Sequence, residues 1–457
     1  MRDLVINAVE KFKLLDDKPI RLISHLDCDG ITSASIIAET LRREKKKFIL
    51  NIAKQLNEEI LKNLSLEPYS TFIFTDLGSG YIKLISKHLK GKKIFIFDHH
   101  VPDDLSVHEN IIHVNPHLAD LDDASSQICG AGITYLFSKL LNEKNQDLSY
   151  IALIGSIGDI QVFNGLNKEI LEDSVNNNKI EIRRGLKMFG AQTKPLHKIL
   201  QFSTEPFIPG VTGSEEGAIN FLNDLGINVK ENGRFKKLVN LTEEELKKLT
   251  TGIILKRLGS EKNPADIFTD IYLLKEEEEE SFTKDAREFS TLLNCCGRLG
   301  KPSIGIGVCL GNKNLREKAN ELMKEYKIEL INSLNWFYDN KERLIKGDNF
   351  VIINAENKIR DTLIGTIASI VSKSNIYKKG TILISMAYTP DNNIKVSMRL
   401  CNETIEDKTD LRTILKEITK DEWETGGHRH ACGCLIPLDK EKEFISRGLE
   451  VLNRKVY

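Results

Sequence analysis

Over roughly the first third of the chain, short apolar runs alternate with amphipathic stretches of helical period. Ile20–Ser24, Phe48–Ile52, Thr71–Thr75, Lys93–Phe97 and Ile111–Val114 read as strands, and Ile31–Arg43 and Tyr81–Leu89 read as helices between them. Strands kept apart by helix-length segments cannot close as hairpins, so the alternation predicts βαβ units and a mostly parallel sheet. In a sheet of that kind functional residues gather at the carboxyl ends of the strands.

The pattern changes further along. From about Val162 to Leu299 strand signals fade and charged helical stretches such as Leu241–Leu258 dominate, with Glu276–Glu280 read as a solvated helix face. After Lys301 the alternation returns: Ser303–Leu310, Phe350–Asn354, Thr381–Ala387 and Ile394–Leu400 read as strands, and Arg360–Lys373 and Leu411–Ile418 as helices. The expected organisation is an α/β domain over 1–161, a helical connecting region over 162–300 and a smaller α/β domain over 301–457.

Composition narrows the function classes. The 65 basic and 66 acidic residues leave a net charge of -1, which removes the simplest case for nucleic-acid binding, a strongly basic domain, while leaving room for a local basic groove. No run reaches the roughly 18 apolar residues of a membrane span, and the opening segment Met1–Asp17 is broken by charges, unlike a secretory signal. The eight cysteines are scattered without CxxC pairing, as expected of reduced thiols in a cytoplasmic protein.

Chemistry is concentrated at the ends of the predicted strands. The first runs into Ser24-His25-Leu26-Asp27-Cys28-Asp29-Gly30, and if the extended chain persists, His25, Asp27 and Asp29 point the same way. Asp76 follows the third, Asp98-His99-His100 closes the fourth, and Asp159 follows the apolar stretch Ile151–Gly158. Any one of these acids alone reads as a turn or helix-cap residue. Together they bring acids, and three of the chain's ten histidines, to what should be one edge of one sheet. Clustered carboxylates repel unless a cation neutralises them. Carboxylate and imidazole without thiolate suit Mn²⁺ or Mg²⁺ ahead of Zn²⁺. There are enough ligands for two ions about 3.5–4 Å apart, the spacing that supports in-line attack on phosphorus.

In order and spacing, His25-x-Asp27-x-Asp29-Gly30, Asp76, Asp98-His99-His100 and Asp159 resemble the four motifs of the DHH phosphoesterase superfamily. The resemblance implies that His25 and Asp27 ligate one metal, that Asp29, His99 and Asp159 ligate the other, and that Asp76 bridges them. It places His100 beside the scissile phosphate, with Asp98 beside it in the catalytic motif. A second segment, Gly426-Gly427-His428-Arg429-His430, resembles the GGH motif of the DHHA1 domain, and Val396-Ser397-Met398-Arg399 resembles that domain's strand ending in a substrate-binding arginine. Taken alone, the first is an ordinary turn and Arg399 an ordinary surface residue. Leu292–Gly300 resembles the asparagine–glycine–arginine segment of archaeal RecJ-like proteins, in which Asn294 and Arg298 would bind a strand end or phosphate; it reads equally as a helix terminus.

The resemblance implies a two-metal phosphodiesterase closest to the archaeal RecJ-like group, with a cleft between the two α/β domains and mononucleotides released from single-stranded DNA or RNA. Two alternatives stand beside it: an oligoribonucleotide or cyclic-dinucleotide phosphodiesterase, and a replication scaffold that docks on GINS or a helicase. Finally, Glu181–Leu200 carries Arg183, Arg184, Lys187, Lys194 and Lys198 against one acid, with Phe189 and Phe202 nearby. It reads either as a surface that tracks a nucleic-acid strand or as a solvated helix.

Overall fold

The five apolar runs form five parallel strands, β1 (Ile20–His25), β2 (Phe48–Ala53), β3 (Thr71–Thr75), β4 (Lys93–Phe97) and β5 (Ile111–Val114), in the order β2-β1-β3-β4-β5. This computed structural model describes residues 1–119, 127–374, 376–402, 409–423 and 425–454, and His428 through its backbone alone. The residues fall into two compact units, Met1–Leu322 and Met323–Tyr457.

In the first unit, the central strands β3 and β4 are buried on both faces, which is why they are continuously apolar, whereas the edge strands β2 and β5 alternate. One face carries Phe72, Phe74, Ile94 and Ile96 into a core with Leu61 and Leu64 of α3 (Glu58–Leu66) and Ile82 and Ile85 of α4 (Ile82–His88). The alternate residues Phe95 and Phe97 turn to the other face. There Phe12 of α1 (Arg2–Lys13) and Phe137 of α5 (Gly130–Leu141) meet them edge-on or tilted, with ring centroids 4.7–6.1 Å apart.

Between β1 and β2 runs α2 (Cys28–Arg43), buried almost all round, against α5 and α6 (Ser149–Gly158). Its small residues permit the close packing. Thr32, Ser35 and Thr40 satisfy their buried hydroxyls on carbonyls one turn back, at 2.7–2.8 Å. The chain leaves β1 first towards β2 and then returns to β3 on the other side. The sheet therefore has its topological switch at β1 and β3, where ligands of such sheets bind.

The middle of the chain departs from expectation. After α7 (Gly165–Asn176), β6 (Ile180–Leu186) pairs antiparallel with β9 (Phe268–Leu274). They enclose α8 (Leu196–Gln201), α9 (Glu215–Asp224), the hairpin β7 (Lys230–Glu231) and β8 (Arg234–Phe235), and α10 (Glu243–Arg257), with a core of their own. Glu276–Glu280 is not a helix face but a turn after β9. The turn lets Glu276, Glu277 and Glu280 reach separate cations, Lys179, Arg316 and Lys237, at 2.7–2.8 Å. A helix would have stacked their like charges at neighbouring positions.

The run Ser303–Leu310, expected as a strand, is helical: α11 (Ala286–Arg298) is followed by α12 (Pro302–Cys309). Pro302 suits a first helical turn, and Gly305 lets α12 lie close against Cys296, Leu293 and Ile31.

The division between the units falls within α13 (Lys313–Asn340). The second unit is a mixed sheet in the order β10 (Ile345–Lys346), β11 (Phe350–Asn354), β12 (Ile382–Tyr388), β13 (Asn393–Leu400), β15 (Ala431–Pro437) and β14 (Thr425–His428). It packs with α14 (Asp361–Ser372), α15 (Leu411–Thr419) and α16 (Glu441–Arg454). Both units are thus α/β, as the alternation predicts. Among the described residues no helix is long and apolar enough to cross a membrane.

Candidate metal centre

The strand β1 stops at His25, and α2 begins three residues later, at Cys28. The extended run His25-Leu26-Asp27-Cys28-Asp29 expected from alternation therefore does not form. Asp27 is instead the N-cap of α2, its Oδ1 accepting from the Gly30 amide at 3.0 Å, and Asp29 lies in the first helical turn. Gly30 makes the tight turn possible, since a Cβ there would sit 2.3 Å from the His25 carbonyl oxygen. The turn divides the three candidate ligands: His25 Nδ1 lies 3.2 Å from Asp27 Oδ2, while Asp29 turns inward to another set of partners.

Asp29 is held by a second helix. Both its oxygens accept from the first amides of α5, Gly130 and Ala131, at 2.8 Å, the arrangement by which a helix N-terminus binds an anion. Gly130 is required at this crossing, because a Cβ would fall 2.8 Å from Asp76 Cβ.

Asp76, at the end of β3, has φ +55°, a left-handed conformation rare outside glycine. Its amide still extends the sheet by donating to the Phe97 carbonyl at 2.9 Å. Asp76 Oδ2 lies 3.3 Å from His25 Nδ1, and Oδ1 lies 3.6 Å from His99 Nε2. The Asp76 side chain is 2 % exposed, and its Oδ2 has no hydrogen-bond partner among the described residues.

The triplet after β4 divides its labour. Asp98 folds the turn: Oδ2 accepts from Ser79 N at 2.8 Å, Oδ1 from His99 N at 2.9 Å, and His100 Nδ1 sits 2.7 Å from the same oxygen. His99 is buried, with Nε2 3.6–3.8 Å from oxygens of Asp29, Asp76 and Asp159. His100 remains half-exposed. Behind it, Asn115 Nδ2 donates to the His100 carbonyl at 2.9 Å and to Ser79 Oγ at 2.8 Å, and His113 Nε2 lies 2.9 Å from Ser79 Oγ. Asp159 caps the C-terminus of α6 and accepts from Gln161 Nε2 at 2.7 Å. Sequence reasoning missed Gly130, Ala131, Ser79, His113, Asn115 and Gln161; the small-residue run Cys129–Gly132 was the one available signal.

Electrostatics sorts the acids into two kinds. Burial, reinforced by the charges of Asp29, Asp27 and Asp98, pushes the Asp76 carboxyl well above the usual carboxylate range. Burial and Asp27 raise Asp29, and burial raises Asp159 to about 6 against the opposing pull of His99. Burial would also raise Asp27, but the His25 charge and the His25 and Gly30 hydrogen bonds overcome it and hold Asp27 below its usual value. For His100, burial works against the charge, yet Asp98 prevails and lifts it to about 9.

Buried carboxylates in mutual contact call for a cation. The residues fit one. His25, Asp27 and Asp76 offer donor atoms within 4.8 Å of one another, as do Asp29, His99 and Asp159, and Asp76 also groups with His99 and His100. The orphaned Oδ2 of Asp76 is an unused ligand atom in the first set. No thiolate joins these groups, and burial raises the nearby Cys28 and Cys129 thiols well above their usual range.

Comparison with known proteins bears on the family and the fold. Residues 19–156 match the DHH family, N-terminal domain, and residues 188–268 match the DHH-CID domain. An uncharacterised protein of Methanocaldococcus jannaschii is 31% identical over 446 residues, covering 96% of this chain and 94% of that one. The chain belongs to the DHH family. Among other DHH proteins, the single-stranded-DNA-specific exonuclease RecJ of Bacillus subtilis is 25% identical over 199 residues, covering 40% of this chain and 25% of that protein. The fold is also that of RecJ of Thermus thermophilus in complex with Mn²⁺, with TM-score 0.60 at 15% identity over 99% of this chain and 55% of that one. CDC45 of Entamoeba histolytica shares it too, with TM-score 0.64 at 12% identity, covering 99% of this chain and 98% of that one.

The remaining candidates are not among these donor groups. Asn294, on α11, accepts from Cys28 N at 3.1 Å, satisfying an amide at the start of α2. Arg298 ends α11, and Gly300 follows with φ +70°. In the second unit, Arg399 on β13 donates to Ser369 Oγ at 2.9 Å and to the Met398 carbonyl at 2.8 Å. Gly426 and Gly427 lie on β14, and Gly427, with φ +123°, faces the Cys432 backbone so closely that a Cβ would not fit. The side chain of His428 lies outside the described residues, while its backbone pairs with Ala431.

Proposed function

We propose that this DHH protein is a phosphodiesterase that holds two divalent cations, Mn²⁺ before Mg²⁺, and removes mononucleotides from an end of single-stranded DNA or RNA. One observation carries the reading. The sets His25/Asp27/Asp76 and Asp29/His99/Asp159 are joined by the Asp76 carboxylate, whose two oxygens lie 3.3 Å from His25 and 3.6 Å from His99.

When bound, the cations would supply positive charge to the phosphoryl oxygens and favour ionisation of an attacking water. The chain's own part is placement and proton control. Asp76 sets the separation of the two ligand sets. The α5 amides orient Asp29, and Gln161 orients Asp159. Asp98 fixes the His100 ring and favours its protonated form, so that His100 donates a hydrogen bond to a phosphate oxygen or a proton to the leaving group. In the second unit Arg399, Gly426, Gly427 and His428 are the proposed phosphate grip, the guanidinium fork suiting phosphate bidentately. Asn294 and Arg298 are the proposed contacts to the strand end.

A product ladder tests this. The protein is incubated with Mn²⁺ and end-labelled DNA and RNA strands of two to about thirty nucleotides. Stepwise release of mononucleotides from long strands supports the exonuclease, and the label that disappears first gives the direction. Cleavage confined to the shortest strands supports the oligonucleotide or cyclic-dinucleotide alternative. A scaffold docked on GINS or a helicase needs no hydrolysis, and absence of cleavage at any length, with Mn²⁺ confirmed bound, would favour it.

A further inference from the structure

Of the chain's nineteen phenylalanines, fifteen are buried or partly so, and the four exposed ones all fall between residues 189 and 235. They are Phe189, Phe202, Phe207 and Phe235, with Phe202 65% exposed. Each of three carries a lysine over its ring: Lys194 over Phe189 and Lys230 over Phe235, both 4.6 Å from the centroid, and Lys198 over Phe202 at 5.9 Å. The rings share one spine. Lys194 and Lys198 bracket His197, whose own ring lies 4.8 Å from that of Phe235. The spine 194–198 is held in place by a bridge from Pro195 to Lys237. Five residues extend over no more than about 17 Å, so the three rings lie within the reach of a few nucleotides.

We propose that this surface, in the segment matching the DHH-CID domain, is a stacking platform for single-stranded nucleic acid. Rings left in water would ordinarily be buried for the hydrophobic free energy they release. Here each ring stands beside an ammonium, the combination with which single-strand binders stack a base and neutralise its phosphate. A protein partner fits less well. Lysine is depleted in protein interfaces, and the Trp, Tyr and Arg anchors that dominate them are not among these exposed rings. Acids stand at the rim, Glu205 on Lys187 at 3.0 Å and Glu215 on Lys198 at 2.6 Å. The platform would hold the strand body while its end is processed, and to that extent the inference rests on the proposed function.

The test is fluorescence anisotropy of the full-length protein with labelled oligothymidylates from two to about twenty nucleotides. It is run in EDTA, so that no strand is cut and the acidic cluster repels phosphate. Wild type is expected to bind the longest strand at least about 10-fold tighter than the dinucleotide. Phe189→Ser/Phe202→Ser/Phe235→Ser is expected to lose that gain. Lys194→Gln/Lys198→Gln/Lys230→Gln should weaken binding and flatten its salt dependence.

Unchanged length dependence in the Phe variant, with a wild-type melting temperature, overturns the proposal. So does a shift from dimer to monomer in that variant with strand binding retained, which would assign the rings to a second copy of the chain. Mn²⁺-dependent hydrolysis of bis(p-nitrophenyl) phosphate by the unaltered protein is measured alongside. Its absence would count against the phosphodiesterase, whereas the platform stands or falls on the anisotropy alone.

Discussion

At Asp76 three constraints meet on one side chain: a left-handed backbone, near-complete burial and two ligand sets within 3.6 Å. Burial among like charges costs free energy in a metal-free protein, and a bound cation is expected to offset that cost. Asp76→Asn keeps the shape and removes the charge. It should cut phosphodiester hydrolysis by about 10³-fold, the loss of several kcal/mol of charge stabilisation, while raising the melting temperature in EDTA. A fall in that melting temperature would mean that the carboxylate repulsion is not a stored cost. His100→Gln removes the proton donor and leaves the ligand sets intact. It should lower turnover by about 10²-fold or more, with Mn²⁺ stoichiometry unchanged by equilibrium dialysis. Asp159, raised by burial to about 6, sets a pH signature. Its folded value lies above the unfolded one, so its stability contribution is complete below the unfolded pKa and is lost as pH rises through about 6. Melting curves in EDTA should therefore fall across that window, and saturating Mn²⁺ should abolish the fall.

Element by element, the site depends on helix ends that no ligand motif reveals. Asp29 is aimed by the first amides of α5, and backbone amides have no residue type to read; only Gly130, forced by the approach of Asp76, leaves a trace. Gly130→Ala should cost about 1–3 kcal/mol by overpacking and weaken Mn²⁺ binding together with stability, which urea titrations with and without Mn²⁺ would separate. The central strands β3 and β4 were legible because burial on both faces makes them unbroken apolar runs. His25, Asp27, Asp76, His99 and Asp159 were legible because they end those elements. Alternation across His25-Asp27-Asp29 was the wrong geometry for the right residues, since Gly30 starts a helix where an extended chain was expected. The strands β6 and β9 escaped notice because β6 carries Arg183 and Arg184 on opposite faces, in ion pairs with Glu181 and Asp270, so no apolar alternation is visible. The helix α12 read as a strand because a short apolar run carries no distinguishing period.

Across the whole molecule, the first unit holds every candidate ligand of both sets, and the second supplies an independent mixed sheet bearing Arg399 and the Gly426–Gly427 pair of β14. The near-neutral net charge suits this plan: binding is left to local features rather than to the overall field. Everything proposed for the first unit depends on Asp76 joining two cation sites into one centre. Electron paramagnetic resonance of the protein titrated with Mn²⁺ tests that joining most directly. Two ions about 3.5–4 Å apart should give the spectrum of an exchange-coupled pair at two equivalents, and Asp76→Asn should abolish the coupling. Two equivalents bound with only the signal of isolated Mn²⁺, or a coupled pair that survives Asp76→Asn, would contradict it.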